Sequence, residues 1–136
     1  QDRSSAASDV YKRQIPFLSS RDSGFSNWIE ELRGHSLGKE KKRVLRYLLS
    51  ATCLVGIPLI ERDPFQDNSL IQDPRNIFCD GKWIWIGTIA HWVRTVDLAL
   101  PNDFLTTVRT HRFIPPSVDP DQIECVWRDN PEFFSP

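Results

Sequence analysis

The chain has 136 residues, of which 17 are basic and 18 acidic, so its net charge is close to zero. This length suits a single domain with a modest hydrophobic core, and the balanced charge excludes a general attraction to nucleic acid or to an anionic membrane surface. No apolar run is long enough to span a bilayer, so we predict no membrane association.

The first fourteen residues differ in character from the rest of the chain. Residues 4–14, SSAASDVYKRQ, resemble the in-frame translation of a transposase-type sequencing adapter, and the chain contains no Met. We therefore expect residues 1–14 to be a non-native tail on a gene read from fragmented environmental DNA, and residues 15–136 to form a single α+β domain. A disordered Ser-rich tail is the alternative.

The pattern before the middle of the chain predicts two helices. A short helix covers Trp28–Arg33, with Asn27 as its N-cap and Gly34 at its end. A longer amphipathic helix extends from Lys39 to about Leu54.

Basic residues crowd the first turn of this longer helix, and they are Lys39, Lys41, Lys42 and Arg43. They oppose the helix dipole, at about 0.3–1 kcal/mol for each exposed charge. A solvated face explains the cluster, and the alternative is contact with an acidic partner or a phosphate backbone. No aromatic residues interleave with the cluster and no nucleic-acid-binding motif accompanies it, so the sequence favours other functions over nucleic-acid binding.

The strongest local signals lie between Asn76 and Val96. Asp80-Gly81 stands between two β-prone runs and predicts a hairpin over about residues 77–86, with both residues at the centre of a type I′ turn. Gly87 then breaks the strand, and the hydroxyl of Thr88 is expected to cap a helix that ends near residue 97. Upstream, the apolar residues 57–60 include a proline and form an edge strand at best.

The chain after the hairpin predicts a helix that begins at Pro101 and a further short helix from Asp119. Acidic residues gather near this end, which gives the molecule some charge asymmetry. Ordinary solubilising charge explains them, and the alternative is a surface that faces a partner. These acidic residues are Asp119, Asp121, Glu124, Asp129 and Glu132, and the first three form the possible interaction surface.

We expect a β-hairpin packed against three to five short helices, around a core of large side chains. The expected core residues are Trp83, Trp85, Trp92, Leu48 and Phe104. An exposed tryptophan that serves as a binding hot spot is the alternative for these rings.

Three cysteines, Cys53, Cys79 and Cys125, are widely separated along the chain. They match neither a metal-ligand spacing nor a disulfide framework, which favours buried fillers in a reducing cytoplasm. We expect no metal and no cofactor. A cysteine nucleophile paired with His91 or His111 is the alternative.

The motifs DGKWIW at residues 80–85, AHWV at 90–93 and LPNDF at 100–104 resemble a pattern found in small uncharacterised bacterial proteins. Those proteins have an Asp-Gly-x-Trp-x-Trp hairpin and a Leu-Pro-x-x-Phe helix start, and the resemblance covers about Val44 to Pro116. This chain departs from the pattern at Ile86, where the family has proline or a polar residue, and at Trp92, where the family favours tyrosine. The resemblance implies an accessory or immunity-type protein that works by binding.

Three functional hypotheses follow. The first is a non-enzymatic binding or regulatory module whose partner is another protein. The second is a small hydrolase or nucleotide-handling enzyme that uses a carboxylate–histidine pair drawn from Asp80, His91 and His111. The third is nucleic-acid binding through Lys39–Arg43.

Overall fold

The computed structural model describes residues 13–15, 24–73, 75–119, 121 and 128. The described helices are α1 (Phe25–Leu32), α2 (Lys41–Ser50), α3 (Ile89–Val96) and α4 (Asn102–Thr110), and a 3₁₀ turn over Gly38–Glu40 leads into α2. The described strands are β1 (Arg13–Gln14), β2 (Thr52–Val55), β3 (Arg62–Asp63), β4 (Ser69–Leu70), β5 (Ile77–Cys79) and β6 (Trp83–Ile86). The protein is a small α+β domain, as the sequence predicts. Among the described residues no helix is both long and apolar enough to cross a membrane.

Four strands form one sheet in the order β1-β6-β5-β2, and β3 and β4 form a separate two-stranded ribbon. β5 and β6 are the predicted hairpin, and β2 pairs antiparallel with β5. β1 lies at the boundary expected between tail and domain and pairs parallel with β6, and the Ile15 N–H donates to the Ile84 carbonyl (3.0 Å). Backbone pairing of this kind can form with many sequences, so it does not test whether residues 4–14 come from an adapter. That origin stays a prediction.

The hairpin turn lies one residue further along the chain than predicted. The Asp80 N–H donates to the carbonyl of Trp83 (3.2 Å), so the central residues are Gly81 and Lys82. Gly81 alone among them has a left-handed φ, +94°, which is the pattern of a type II′ turn. The Asp80 side chain causes the shift, because its Oδ1 accepts the N–H groups of Lys82 (2.9 Å) and Trp83 (2.7 Å).

The longer predicted helix ends earlier than expected. α2 stops at Ser50, and Thr52–Val55 is strand β2 rather than the last turn of a helix. This segment has β-branched residues at both ends, and pairing with the buried strand β5 overrides its helical spacing. The edge strand predicted over residues 57–60 is also wrong, because β2 occupies that edge and the proline-containing segment has no strand structure.

Helix starts differ from the predicted caps. α1 begins at Phe25, so Asn27 lies inside the helix and Gly24 takes the N-cap position. Burial of Phe25 explains the earlier start, because its ring packs 5.1 Å from that of Trp92. Thr88 precedes α3 as predicted, but its side chain makes no capping hydrogen bond. Its φ and ψ of −64° and −15° are helical, whereas a capping residue needs extended geometry.

The structure buries all five expected core residues, Trp83, Trp85, Trp92, Leu48 and Phe104. The Trp85 Nε1–H donates to the carbonyl of Leu48 (2.9 Å), and its ring centroid lies 5.4 Å from that of Phe104. α2 and α4 therefore cover the tryptophan face of the hairpin. Trp92 packs in a second aromatic cluster with α1. The helix predicted from Asp119 falls largely outside the described residues.

Candidate functional site

A chain of hydrogen bonds joins Asp80, Tyr47 and His111, which come from the hairpin, from α2 and from the end of α4. Asp80 is 2% exposed, and its carboxylate Oδ2 accepts the Tyr47 hydroxyl at 2.6 Å. The Tyr47 oxygen lies 3.0 Å from His111 Nδ1. The sequence hypothesis named Asp80 and His111, and the structure links them through a tyrosine that it did not name.

The donors and acceptors in this hydrogen-bonded chain determine which atoms carry the protons. Asp80 accepts two backbone N–H groups and one hydroxyl, which suits an ionised carboxylate. Since Tyr47 donates its only hydroxyl proton to Asp80, its oxygen must accept from His111, and Nδ1 carries the proton. Burial, and then the bond to Asp80, raise the pKa of Tyr47 above its ordinary value, so the phenol stays protonated.

Strained backbone follows His111 directly. Arg112 and Phe113 have left-handed φ values of 55° and 63°, which residues other than glycine rarely adopt. The Phe113 N–H donates to the Val108 carbonyl (3.0 Å), and the Arg43 guanidinium lies 4.2 Å from the centre of the Phe113 ring. These contacts offset the strain and hold the end of α4, and with it the histidine, in place.

His111 lines a polar cleft of about 260 Å³ on one face of α4, which we call the α4 cleft. The other lining residues are Lys82, Asp103, Thr106, Thr107 and Thr110. The cleft is small and open to solvent, so it suits a small ligand or one side chain of a partner.

His91 belongs to a different pair. Its Nε2 lies 2.7 Å from Oδ2 of Asp63, and both residues are buried. Asp63 also accepts the Phe65 N–H (2.8 Å), so the pair ties the β3–β4 ribbon to α3. The carboxylate–histidine hypothesis therefore divides into two separate pairs, because His91 does not join Asp80.

The basic cluster does not behave as one group. Lys41 bonds to Asp97 (2.8 Å) and to the Arg94 carbonyl (3.1 Å), so it fastens α2 to the end of α3. The other three residues of the cluster are exposed on one face together with Arg46, at helical spacing, and we call this set of four the α2 stripe. Its members are Lys39, Lys42, Arg43 and Arg46.

The expected acidic surface is described only in part. Asp119 and Asp121 are exposed, and Glu124 lies outside the described residues. Among the described residues, no group of three His, Cys, Asp or Glu side chains is arranged to hold a metal ion. Cys53 and Cys79 are free thiols, the first exposed and the second buried. The expectation of a buried filler is therefore wrong for Cys53, whose side chain lies on the exposed side of β2, and Cys125 falls outside the described residues.

In comparisons with known proteins, the chain matches no family model, no curated sequence and no solved structure. The resemblance to small bacterial proteins therefore stays an expectation.

The sequence reasoning missed three residues that the structure brings forward. Arg46 follows Lys42 and Arg43 at helical spacing, so the periodicity of α2 alone could have placed it in the stripe. Tyr47 and Asp63 carried no such signal, because Tyr47 bonds to Asp80 and His111, and Asp63 bonds to His91, across 28 or more positions.

Proposed function

We propose that this protein is a non-enzymatic binding module of regulatory, accessory or immunity type, which docks its α2 stripe on an acidic surface of a partner protein. The observation that carries the proposal is that three exposed members of the stripe, Lys39, Lys42 and Arg46, make no ion pair with any described residue. The fourth member, Arg43, packs on the ring of Phe113 and helps to lower the pKa of Glu40. Residues 41–50 include no Asp or Glu, and the one neighbouring acid, Glu40, is bonded by Arg109 (2.7 Å).

The contrast with neighbouring basic residues supports this proposal. Lys41 and Arg109 have acidic partners, and the hydrogen bond from Arg109 lowers the pKa of Glu40. Lys39, Lys42 and Arg46 make no ion pair with any residue in the described part of the chain. A single-sign stripe of this kind speeds association with an acidic surface and rejects a basic one.

Exposed apolar side chains favour a protein partner over nucleic acid. Ile60 and Leu70 are 62% and 44% exposed, and Leu59 is 59% exposed. Leu70 pairs with Arg62 across the ribbon, so these two side chains lie on the same face of it. Apolar surface of this type contributes to protein contacts, whereas phosphate binding depends mainly on basic groups.

The enzyme hypothesis has one observation in its favour, the Asp80–Tyr47–His111 chain beside a cleft. Asp80 is 2% exposed and its carboxylate already accepts three hydrogen bonds within the protein, so a substrate has no open approach to it as a base. The hydrogen bonds from Asp80 through Tyr47 orient the His111 ring, and we therefore rank a hydrolase function second. We also assign the protein to a reducing cytoplasm, because its cysteines are odd in number and two are free thiols.

A pull-down with matched charge variants tests the proposal. The protein and its Lys42→Glu/Arg46→Glu variant serve as bait in a bacterial lysate, with proteins and nucleic acids in the eluate both identified. We expect one stoichiometric acidic protein with the native bait and at least about a tenfold loss with the variant, because two favourable charges become repulsive.

The control is Arg33→Glu/Arg112→Glu, which changes the net charge equally at exposed positions outside the stripe. This bait should retain the partner. Equal loss with both variants would show that only net charge matters and would contradict the proposal. Recovery of nucleic acid in place of a protein, with nuclease-sensitive binding, would also overturn it.

A further inference from the structure

The α4 cleft has an unusual hydrogen-bonding character, because its threonines donate their protons to the helix itself. The hydroxyl of Thr106 donates to the Asn102 carbonyl (3.1 Å), and that of Thr110 donates to the Thr106 carbonyl (2.9 Å). Both hydroxyl oxygens keep lone pairs and have no proton left to offer. Toward the cleft they act as acceptors.

Thr107 completes the pattern in the deeper part of the cleft. Its hydroxyl donates to the Asp103 carbonyl (3.1 Å) and accepts the Nε1–H of Trp83 (3.3 Å). The buried tryptophan therefore fixes the hydroxyl, so that Thr107 has no free donor either.

His111 adds a further acceptor. Its Nδ1–H is directed to Tyr47, so in the neutral ring Nε2 carries a lone pair and no proton. His111 is half-buried and lines the cleft, and because Nδ1 is bonded to Tyr47, Nε2 is the ring nitrogen left for a ligand. The Asp80–Tyr47 pair thus determines which nitrogen is available to a ligand in the cleft.

Asp103 contributes the negative charge. It lies in the first turn of α4, is exposed, and forms no ion pair with any described residue. Lys82 is the single basic residue of the lining, and it stands on the hairpin turn with an exposed side chain. Its flexible stem allows the ammonium to remain in solvent when the cleft is filled.

We propose that the α4 cleft binds an alkylammonium group, which three acceptor atoms and one carboxylate recognise. A primary ammonium has three N–H donors and one positive charge, so Thr106 Oγ1, Thr110 Oγ1 and His111 Nε2 complement its donors and Asp103 complements its charge. The group belongs either to a free polyamine or to a lysine side chain of a protein.

Amide NMR titrations with three four-carbon probes test this inference. n-Butylammonium, butyrate and 1-butanol have the same chain and differ in charge. Butylammonium should shift the amide signals of Thr106, Thr110 and His111, and butyrate should leave them in place. Equal shifts with butyrate or butanol would overturn the inference.

Two variants test which side chains bind the ammonium group, and a third serves as a control. Asp103→Asn should weaken butylammonium about tenfold, because a charge-assisted bond becomes neutral, and Thr110→Val should weaken it about threefold. Glu31→Gln removes an exposed carboxylate from α1 and should leave the affinity unchanged. An unchanged affinity in Asp103→Asn, with well-dispersed spectra, would contradict the proposed site.

Two further probes distinguish the sources of the group. Spermidine that binds more tightly than N-acetyl-lysine methylamide indicates a free polyamine, and the reverse order indicates a lysine side chain. Either order supports the ammonium site, and failure of both probes to shift the cleft signals overturns it. The outcome is independent of the α2 stripe, which the pull-down variants test separately.

Discussion

Asp80 is the residue at which the fold and the candidate site meet. Its Oδ1 holds the hairpin turn and its Oδ2 orients Tyr47, so one buried carboxylate determines both a backbone conformation and a histidine tautomer. The sequence marks Asp80 because Asp-Gly is a turn signal. It does not mark Tyr47, because a bond across 33 positions depends on how α2 packs on the hairpin.

Cys79 shows a second effect of burial at this scale. The thiol is fully buried beside Asp80, and burial raises its pKa from an ordinary 9.0 to about 12. Its Sγ also accepts the Gly81 N–H (3.2 Å), which opposes part of that rise. This burial agrees with the filler role that the sequence predicts for Cys79.

We predict that Cys79 resists alkylation in the native protein. A pKa about three units above its ordinary value lowers the thiolate fraction at pH 8 about a thousandfold. Each unit of rising pH below about 12 should then increase its labelling about tenfold. Iodoacetamide labelling followed by peptide mass spectrometry measures this, with the exposed Cys53 as the internal reference.

Labelling in urea supplies the control, since both thiols should react there at similar rates. Native rates that are similar for Cys53 and Cys79 would contradict the assigned burial.

At the scale of elements, sequence patterns located the helices and the hairpin better than they located the ends of these elements. The hairpin, α3 and α4 were predicted because local signals and tertiary packing agree there. α2 was predicted to continue to Leu54, since nothing local shows that β5 would recruit Thr52–Val55 into the sheet. The Asp63–His91 pair was unpredictable for the same reason, because it depends on how a loop packs on α3.

Two adjacent lysines in the first turn of α2, Lys41 and Lys42, look alike in the sequence but have different environments. Lys41 is half-buried against Asp97, the left-handed residue that ends α3, whereas Lys42 is exposed. Lys41→Glu should lower the free energy of unfolding by about 1–2 kcal/mol, because it places two carboxylates together at a helix C-terminus.

Lys42→Glu should change the free energy of unfolding by less than about 0.5 kcal/mol, since it adds a favourable charge at the start of an exposed helix face. Urea unfolding of the two variants measures the difference. Equal destabilisation would mean that the Lys41–Asp97 ion pair does not fasten α2 to α3.

At the scale of the whole molecule, the fold class followed from the sequence because the aromatic hairpin and the helical patterns are consistent with one core. The functional surfaces did not follow, because they combine side chains that the fold brings together or leaves unpaired. Within one cluster of basic residues, packing neutralised Lys41 and left the α2 stripe exposed. Which of these basic residues remain unpaired therefore depends on the tertiary structure and not on the local sequence.

The measurement that tests the functional account most directly is a lysine acetylation footprint, read by mass spectrometry with and without the captured partner. We predict that partner binding protects Lys39 and Lys42, while Lys82 on the hairpin turn keeps its reactivity and Lys41 reacts slowly in both states because of Asp97. Protection of Lys82 with Lys39 and Lys42 unchanged would contradict the proposal that the α2 stripe is the binding surface.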